Sequence, residues 1–251
     1  FEPEGNYDMI LCANVLSELD EPSAVLADLF ESLDSTGTVI ALAPADRQTA
    51  THLRAVERRV EHDAGATVYA PTVRRWPNHR PESECWSFDR KPDLAVPDFQ
   101  CRLDEGRRDE NDAQADREPG DGEFVNVDVQ YAYSLLRADD RVAIYFTPTR
   151  DRYAMFASSD ERVTERIDCV AVKLSHDLSD GGNPLFLVGD GSERRDHFAV
   201  CTKESALNRD LREAGYGDLL AFENVLLLYN DDEAAYNLVV DGETVVDRIP
   251  V

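Results

Sequence analysis

The sequence predicts an α/β fold, the C-terminal half of a doubly wound sheet, followed by a small β-barrel. Three observations predict it. Met9 to Ala13 is a nearly continuous apolar run ending at polar Asn14, and Thr38 to Ala43 is a second such run. Strands that are apolar throughout are covered on both faces, as in parallel sheets. Between the two runs, Pro22 to Leu33 carries Val25, Leu26, Leu29, Phe30 and Leu33 at helical spacing, which suits a crossover. Towards the C-terminus the pattern changes to short strands separated by Gly-Gly and Asp-Gly turns. A doubly wound sheet places its Gly-rich cofactor turn after the first strand and an acidic ribose ligand after the second. Both are therefore expected upstream of Phe1.

The remaining elements follow in order. Gln48 to His62 reads as a helix with a basic face of Arg54, Arg58 and Arg59, and Ala66 to Ala70 as a strand stopped by Pro71. Asp104 to Glu123 holds nine acidic residues, three Arg and three Gly, with no apolar side chain larger than Ala. Such a segment buries too little surface to offset its ordering entropy, so a disordered acidic insertion is expected at 104–123. Val125 to Leu136 then alternates like a strand and returns to the first domain, which spans 1–139. A connection over 140–165 leads to the barrel, 166–251. Its strands are Cys169–Leu174, Leu185–Val188, Asp196–Cys201, Leu219–Tyr229 and Ala235–Val246, with a helix from Ser205 to Ala214 between the third and fourth. That is the element order of an OB-type barrel.

Composition sets the environment. There are 51 Asp plus Glu against 26 Lys plus Arg, a net charge of -25, and only three of the cations are Lys. Self-repulsion at that charge is screened within about 3 Å at molar ionic strength, so a cytoplasm of high salt is expected. Dialysis from molar KCl into dilute buffer should abolish the cooperative fold. Circular dichroism along a salt series checks this, and a fold unchanged at millimolar salt would contradict it. No run reaches the ~20 apolar residues of a membrane span, so no membrane partner is expected. Five scattered Cys without CxxC spacing argue against a disulfide framework and fit a reducing compartment.

Several residues are candidates for chemistry. Asn14 ends a parallel strand, where α/β sheets bind ligands; it either faces a cofactor or caps the following helix. Glu18 is either a general base or a solvated helix carboxylate. Arg74, Arg75, Trp76, His79 and Arg80 interleave cations with an aromatic in a Pro-rich segment, which suits RNA phosphate contact and base stacking; the alternative is a surface loop anchored by its Trp. Arg194 and Arg195, with Phe198 following, fall on the turn between the second and third barrel strands, where OB barrels grip nucleic acid, or serve the turn alone.

Tyr7 to Leu19 resembles the fourth strand and following turn of class I S-adenosylmethionine-dependent methyltransferases, and Gly37 to Pro44 resembles their fifth strand. Val68-Tyr-Ala-Pro71, Cys85-Trp-Ser-Phe88, Cys201-Thr-Lys203 and Gly215-Tyr-Gly-Asp218 resemble the methyltransferase-like proteins of small ribosomal subunit assembly. The resemblance implies a partial methyltransferase-like domain, an OB-like domain, S-adenosylmethionine as cofactor of the full-length protein, and small-subunit rRNA as partner. That family places several Cys after its Ala-Pro strand end, whereas Pro71 is followed here by Thr72. An iron-sulfur cluster, which wants four thiolates, is therefore not expected. His79, Cys85 and Cys101 remain as candidate ligands of a residual metal site. Two functions follow: methyl transfer to rRNA, or a non-catalytic assembly or RNA-binding factor. The sequence sets no catalytic residue and no oligomeric state.

Overall fold

In the computed structural model of the chain, residues 5–71, 74–105, 125 and 128–250 are described. They fall into two compact units, residues 1–89 with 132–251, and residues 90–131. In the first unit, β1 (Tyr7–Ala13) leads through a single 3-10 turn to α1 (Pro22–Phe30) and then β2 (Leu33–Pro44). Pro22 opens α1, where its missing N–H costs nothing. β1 and β2 pair in parallel, from Met9 opposite Thr38 to Ala13 opposite Leu42. α2 (Arg47–Asp63) starts at Asp46, whose carboxylate accepts the Thr49 N–H at 2.9 Å, and that bond holds the Asp46 pKa below its ordinary value. It buries Ala50, Leu53, Val56 and Val60, one helical stripe. β3 (Thr67–Ala70) follows; the second unit holds most of the short β4 (Asp89–Lys91) and all of α3 (Asp98–Glu105), and β5 (Val129–Arg137) returns to the first. The strand order is β1-β2-β5-β3, and β3 runs antiparallel to β5.

This arrangement corrects the expected sheet. The described residues hold no doubly wound methyltransferase-like sheet: strand outweighs helix by about a third to a fifth of the chain, and β3 and β5 are antiparallel. Burial in β1 shows why the apolar run misled. Cys12 is buried, but Met9 and Leu11 are 59% and 57% exposed, so the strand alternates between a covered and a bare face. An apolar run records hydrophobicity, whereas the period of two that separates the faces is visible only once the strand has neighbours.

The predicted basic face of α2 is also corrected. Arg54 is 2% exposed and donates to Glu57 and to the Tyr133 carbonyl, while Arg58 donates to the carbonyls of Pro81 and Ser83. Of the expected acidic insertion, Asp104 and Glu105 close α3, and 106–123 lie outside the described residues.

The C-terminal part is a closed five-stranded barrel. β6 (Arg166–Lys173), β7 (Leu185–Gly189) and β8 (His197–Cys201) are followed by the short α4 (Asp210–Glu213), β9 (Leu219–Asn230), β10 (Ala235–Val240) and β11 (Val245–Arg248). Antiparallel pairs join β6 to β7, β7 to β8, β10 to β9 and β9 to β6; a parallel pair, β8 with β10, closes the ring. Two corrections apply here. The predicted helix from Ser205 shrinks to four residues, and Ala235–Val246 divides into two strands at Asp241-Gly242, with β11 pairing off β9. Asn224 takes φ 59° in β9 beside a register shift against β6, a bulge that lets one long strand serve both partners.

Inside the barrel Cys169, Ala171, Phe186, Val188, Phe222 and Leu238 pack together. The alternate residues Val170, Val172 and Leu187 pack outward against Trp76, Tyr153 and Met155. β6 is thus covered on both faces. Lys173 ends it buried, its ammonium donating to the Leu211 and Ala214 carbonyls at 2.9 and 2.7 Å, and burial lowers its pKa to about 8. Among the described residues no helix is long and apolar enough to cross a membrane.

Candidate functional site

The turn from β7 to β8 builds the site. Gly191 takes φ 83°, so the chain reverses tightly and brings Asp190 and Glu193 inward. The fully buried Asp190 carboxylate accepts from the Trp76 indole at 2.7 Å, the Phe156 N–H at 2.9 Å, and the Ser192 N–H and hydroxyl at 2.8 and 2.7 Å. Glu193 accepts from the N–H groups of Asp190 and Gly191 at 3.2 and 2.7 Å. Burial, then the adjacent Asp190 charge, push the Glu193 carboxyl up to about 8, so it keeps its proton at neutral pH and hydrogen-bonds Asp190. The turn's carbonyls also hold the Pro-rich segment, through Arg75 N–H to Asp190 and Glu82 N–H to Glu193 at 3.2 and 2.8 Å. With the carboxyl groups turned in, Arg194 and Arg195 are left exposed.

Beside them lies an aromatic floor. Tyr229 and Tyr236 are directly opposite across the β9–β10 pair, with centroids 5.0 Å apart. Tyr236 stacks on His197 at 4.9 Å, and His197 stacks on Phe156 at 4.0 Å. The His197 ring is fixed at both nitrogens. Nδ1 lies 2.9 Å from the Arg195 carbonyl, which can only accept, so Nδ1 carries the hydrogen and Nε2 accepts from the Ser159 hydroxyl at 2.7 Å. Burial pushes the His197 pKa down to about 3, which keeps it neutral. This Ser-His contact is buried on both sides, at 2% and 0% exposure, so it braces the floor and offers no nucleophile to solvent. The resulting cleft, about 770 Å³, is lined by Phe156, Ala157, Asp160, Val163, Arg194, Arg195, Tyr229 and Tyr236.

A second cleft of about 980 Å³ includes Arg58, His79, Arg80 and Arg194; Ala157 and Arg194 line both. Arg74, Arg137, Arg166 and Arg212 each pair with a carboxylate. Arg80, Arg194 and Arg195 pair with none among the described residues and are exposed. On a chain of net charge -25, these three guanidinium groups line adjoining clefts that also hold the carboxylates of Asp160 and Glu82.

The predicted site residues divide. Arg194 and Arg195 line the cleft. The Arg74–Trp76 group does not present a stacking face: Trp76 is 4% exposed with its N–H on Asp190, Arg75 donates to the Ile144 and Phe146 carbonyls at 2.5 and 2.9 Å, and Arg74 pairs with Glu61 at 2.8 Å. Burial lowers the Arg75 pKa to about 10. These three anchor the loop. Phe198 packs half-buried in the outer cluster that contains Trp76 and Leu187, away from the cleft lining.

Asn14 is exposed at φ 54° and donates its backbone N–H to Leu42; the following 3-10 turn is capped by Val15 without a side-chain bond. Cys85 is buried, and burial pushes its thiol up to about 12. Among the described residues no group of three or more His, Cys, Asp or Glu is gathered as for a metal ion.

Sequence reasoning missed Tyr229, Tyr236, Phe156 and Asp160. The two tyrosines were within reach, since they stand two residues outside either end of the four-residue turn 231–234 on adjacent strands.

A protein family described as "Domain of unknown function (DUF8157) C-terminal domain" matches residues 157–249. The match takes in the barrel and every lining residue of the first cleft but Phe156. No curated protein matches the chain.

Proposed function

We propose that this chain is an RNA-binding factor that works in small ribosomal subunit assembly through the barrel clefts, without chemistry of its own. The observation that carries the proposal is the set of three exposed arginines, Arg80, Arg194 and Arg195, beside two tyrosines on an otherwise strongly acidic protein. Arginine with an aromatic floor supplies phosphate contact and base stacking together. The sequence resemblance to small-subunit assembly proteins directs the choice of RNA. Among the described residues there is no doubly wound sheet to support the methyltransferase reading.

The double substitution Arg194→Ala with Arg195→Ala tests this by cosedimentation with small ribosomal subunits across a KCl series. Loss of association is expected, about tenfold or more at the low end of the salt range and less as KCl rises, because phosphate contacts weaken with salt. Association equal to that of the unsubstituted chain throughout the series would overturn the proposal.

A further inference from the structure

Resting on the RNA-binding role above, we propose that the cleft of Tyr229 and Tyr236 takes one unstacked guanine nucleotide, with its base on the ring of Tyr229, its phosphate on Arg194 and Arg195, and its Watson–Crick edge on Asp160.

Tyr229 supplies the open ring face, while Tyr236 is 8% exposed, stacks on His197 and is tilted 59° from Tyr229, so it braces that ring. Tyr236 is held by the Phe156–His197 stack, whose middle member is fixed at both nitrogens. Tyr229 stays half-exposed beside it, with the Arg195 guanidinium 5.8 Å from its centroid. A volume of about 770 Å³ admits a nucleotide and is small for a duplex.

Asp160 then decides which base. It is exposed on the 3-10 segment Phe156–Glu161, lines the same cleft, and has no cation paired with it among the described residues. A carboxylate in a cleft for a polyanion repels its ligand unless it accepts hydrogen bonds from the base. Its two oxygens call for two adjacent donors. Guanine presents N1–H and the 2-amino group side by side on that edge. Adenine and cytosine pair an amino group with an acceptor, and uracil places one N–H between two carbonyls. The chemistry that satisfies both ends of the cleft is therefore a guanine with its phosphate, in a single strand whose edge is free.

Fluorescence anisotropy in molar KCl, with the full chain and labelled single-stranded hexamers, tests the assignment. The hexamers are all-uridine except for guanosine, adenosine or inosine at one internal position. The guanosine hexamer is expected to bind about tenfold tighter than the adenosine or all-uridine ones, the discrimination typical of one bidentate base contact. Inosine, which lacks the 2-amino group, should fall between. Asp160→Asn should erase the preference, weakening the guanosine hexamer and, with the carboxylate's repulsion gone, strengthening the all-uridine one, and Tyr229→Ala should weaken every hexamer. Asp160 is exposed, so its variant keeps the fold and decides the matter even if Tyr229→Ala does not fold. Equal affinity for guanosine and uridine, or a preference that survives Asp160→Asn, would overturn the guanine assignment alone, provided that subunit association still depends on Arg194 and Arg195. If neither hexamers nor subunits bind, the RNA-binding role itself fails.

Discussion

Replacing Glu57 by alanine is expected to cost about 3–5 kcal/mol, the usual result of leaving a buried charge without its partner. Glu57 is 2% exposed within α2 and accepts from Arg54, equally buried, and from the Ser134 hydroxyl at 2.8 Å; Arg74 lies 3.6 Å from its other oxygen. Removing the carboxylate strands the Arg54 guanidinium inside the domain and takes the acceptor from Ser134 on β5. Against a stability of roughly 5–15 kcal/mol, that loss is enough to unfold a large share of the protein at modest temperature. The Arg54 charge is the cause, so Arg54→Met combined with Glu57→Leu should recover most of the loss, since well-packed apolar replacements of a buried ion pair are often neutral. Urea denaturation of the two variants in molar KCl separates the cases. A Glu57→Ala cost below about 1 kcal/mol, the range of exposed pairs, would show that the pair is solvated.

The same pair shows what the sequence conceals. Arg54, Arg58 and Arg59 look like a solvated helix face because spacing reports periodicity and charge, while a carboxylate at the right height on the same helix turns one of them inward. Trp76 is a second case. Cations around an aromatic describe both an RNA-contacting loop and an anchored one, and Asp190, 114 residues away, decides for the anchor by accepting its N–H. The barrel strands, by contrast, were legible apart from the break at Asp241-Gly242, which the predicted Ala235–Val246 strand ran through. Their signals are local: Gly181-Gly182 and Asp190-Gly191 break apolar runs, and turn chemistry needs no distant partner. The first sheet was legible as strands and helices but not as a fold, because parallel or antiparallel pairing and one or two covered faces belong to neighbours that the run does not name. At the cleft, the arginines were visible as a charged turn. Asp160 was not, since nothing in its own segment places it beside Tyr236.

Glu193→Gln is expected to stabilise the protein at alkaline pH. The Glu193 carboxyl has a folded pKa of about 8 against an ordinary 4.5, held up by burial and by Asp190. The folded state therefore binds the extra proton between those values. Stability from this group is complete below about pH 4.5 and is lost as pH rises towards 8, where the carboxylate must form against a buried neighbour. Glutamine copies the protonated form, because its carbonyl can accept the N–H groups of Asp190 and Gly191 while its amide donates to the Asp190 carboxylate. The variant should match the unsubstituted protein near pH 4.5 and exceed it in Tm by about 2–8 °C at pH 9, the shift that about 1–2 kcal/mol gives in a chain of this size. His197, which keeps its pKa near 3 in the fold and so loses stability in acid, is common to both proteins and cancels in the difference. Because this turn carries Arg194 and Arg195, unlatching it by ionisation should also loosen the cleft, and RNA binding by the unsubstituted protein should fall above pH 8 more steeply than binding by the variant. Parallel melting curves with pH would sink the latch: the Glu193 carboxyl would then be ionised at neutral pH, and the inward pair would not be what holds the arginine turn in place.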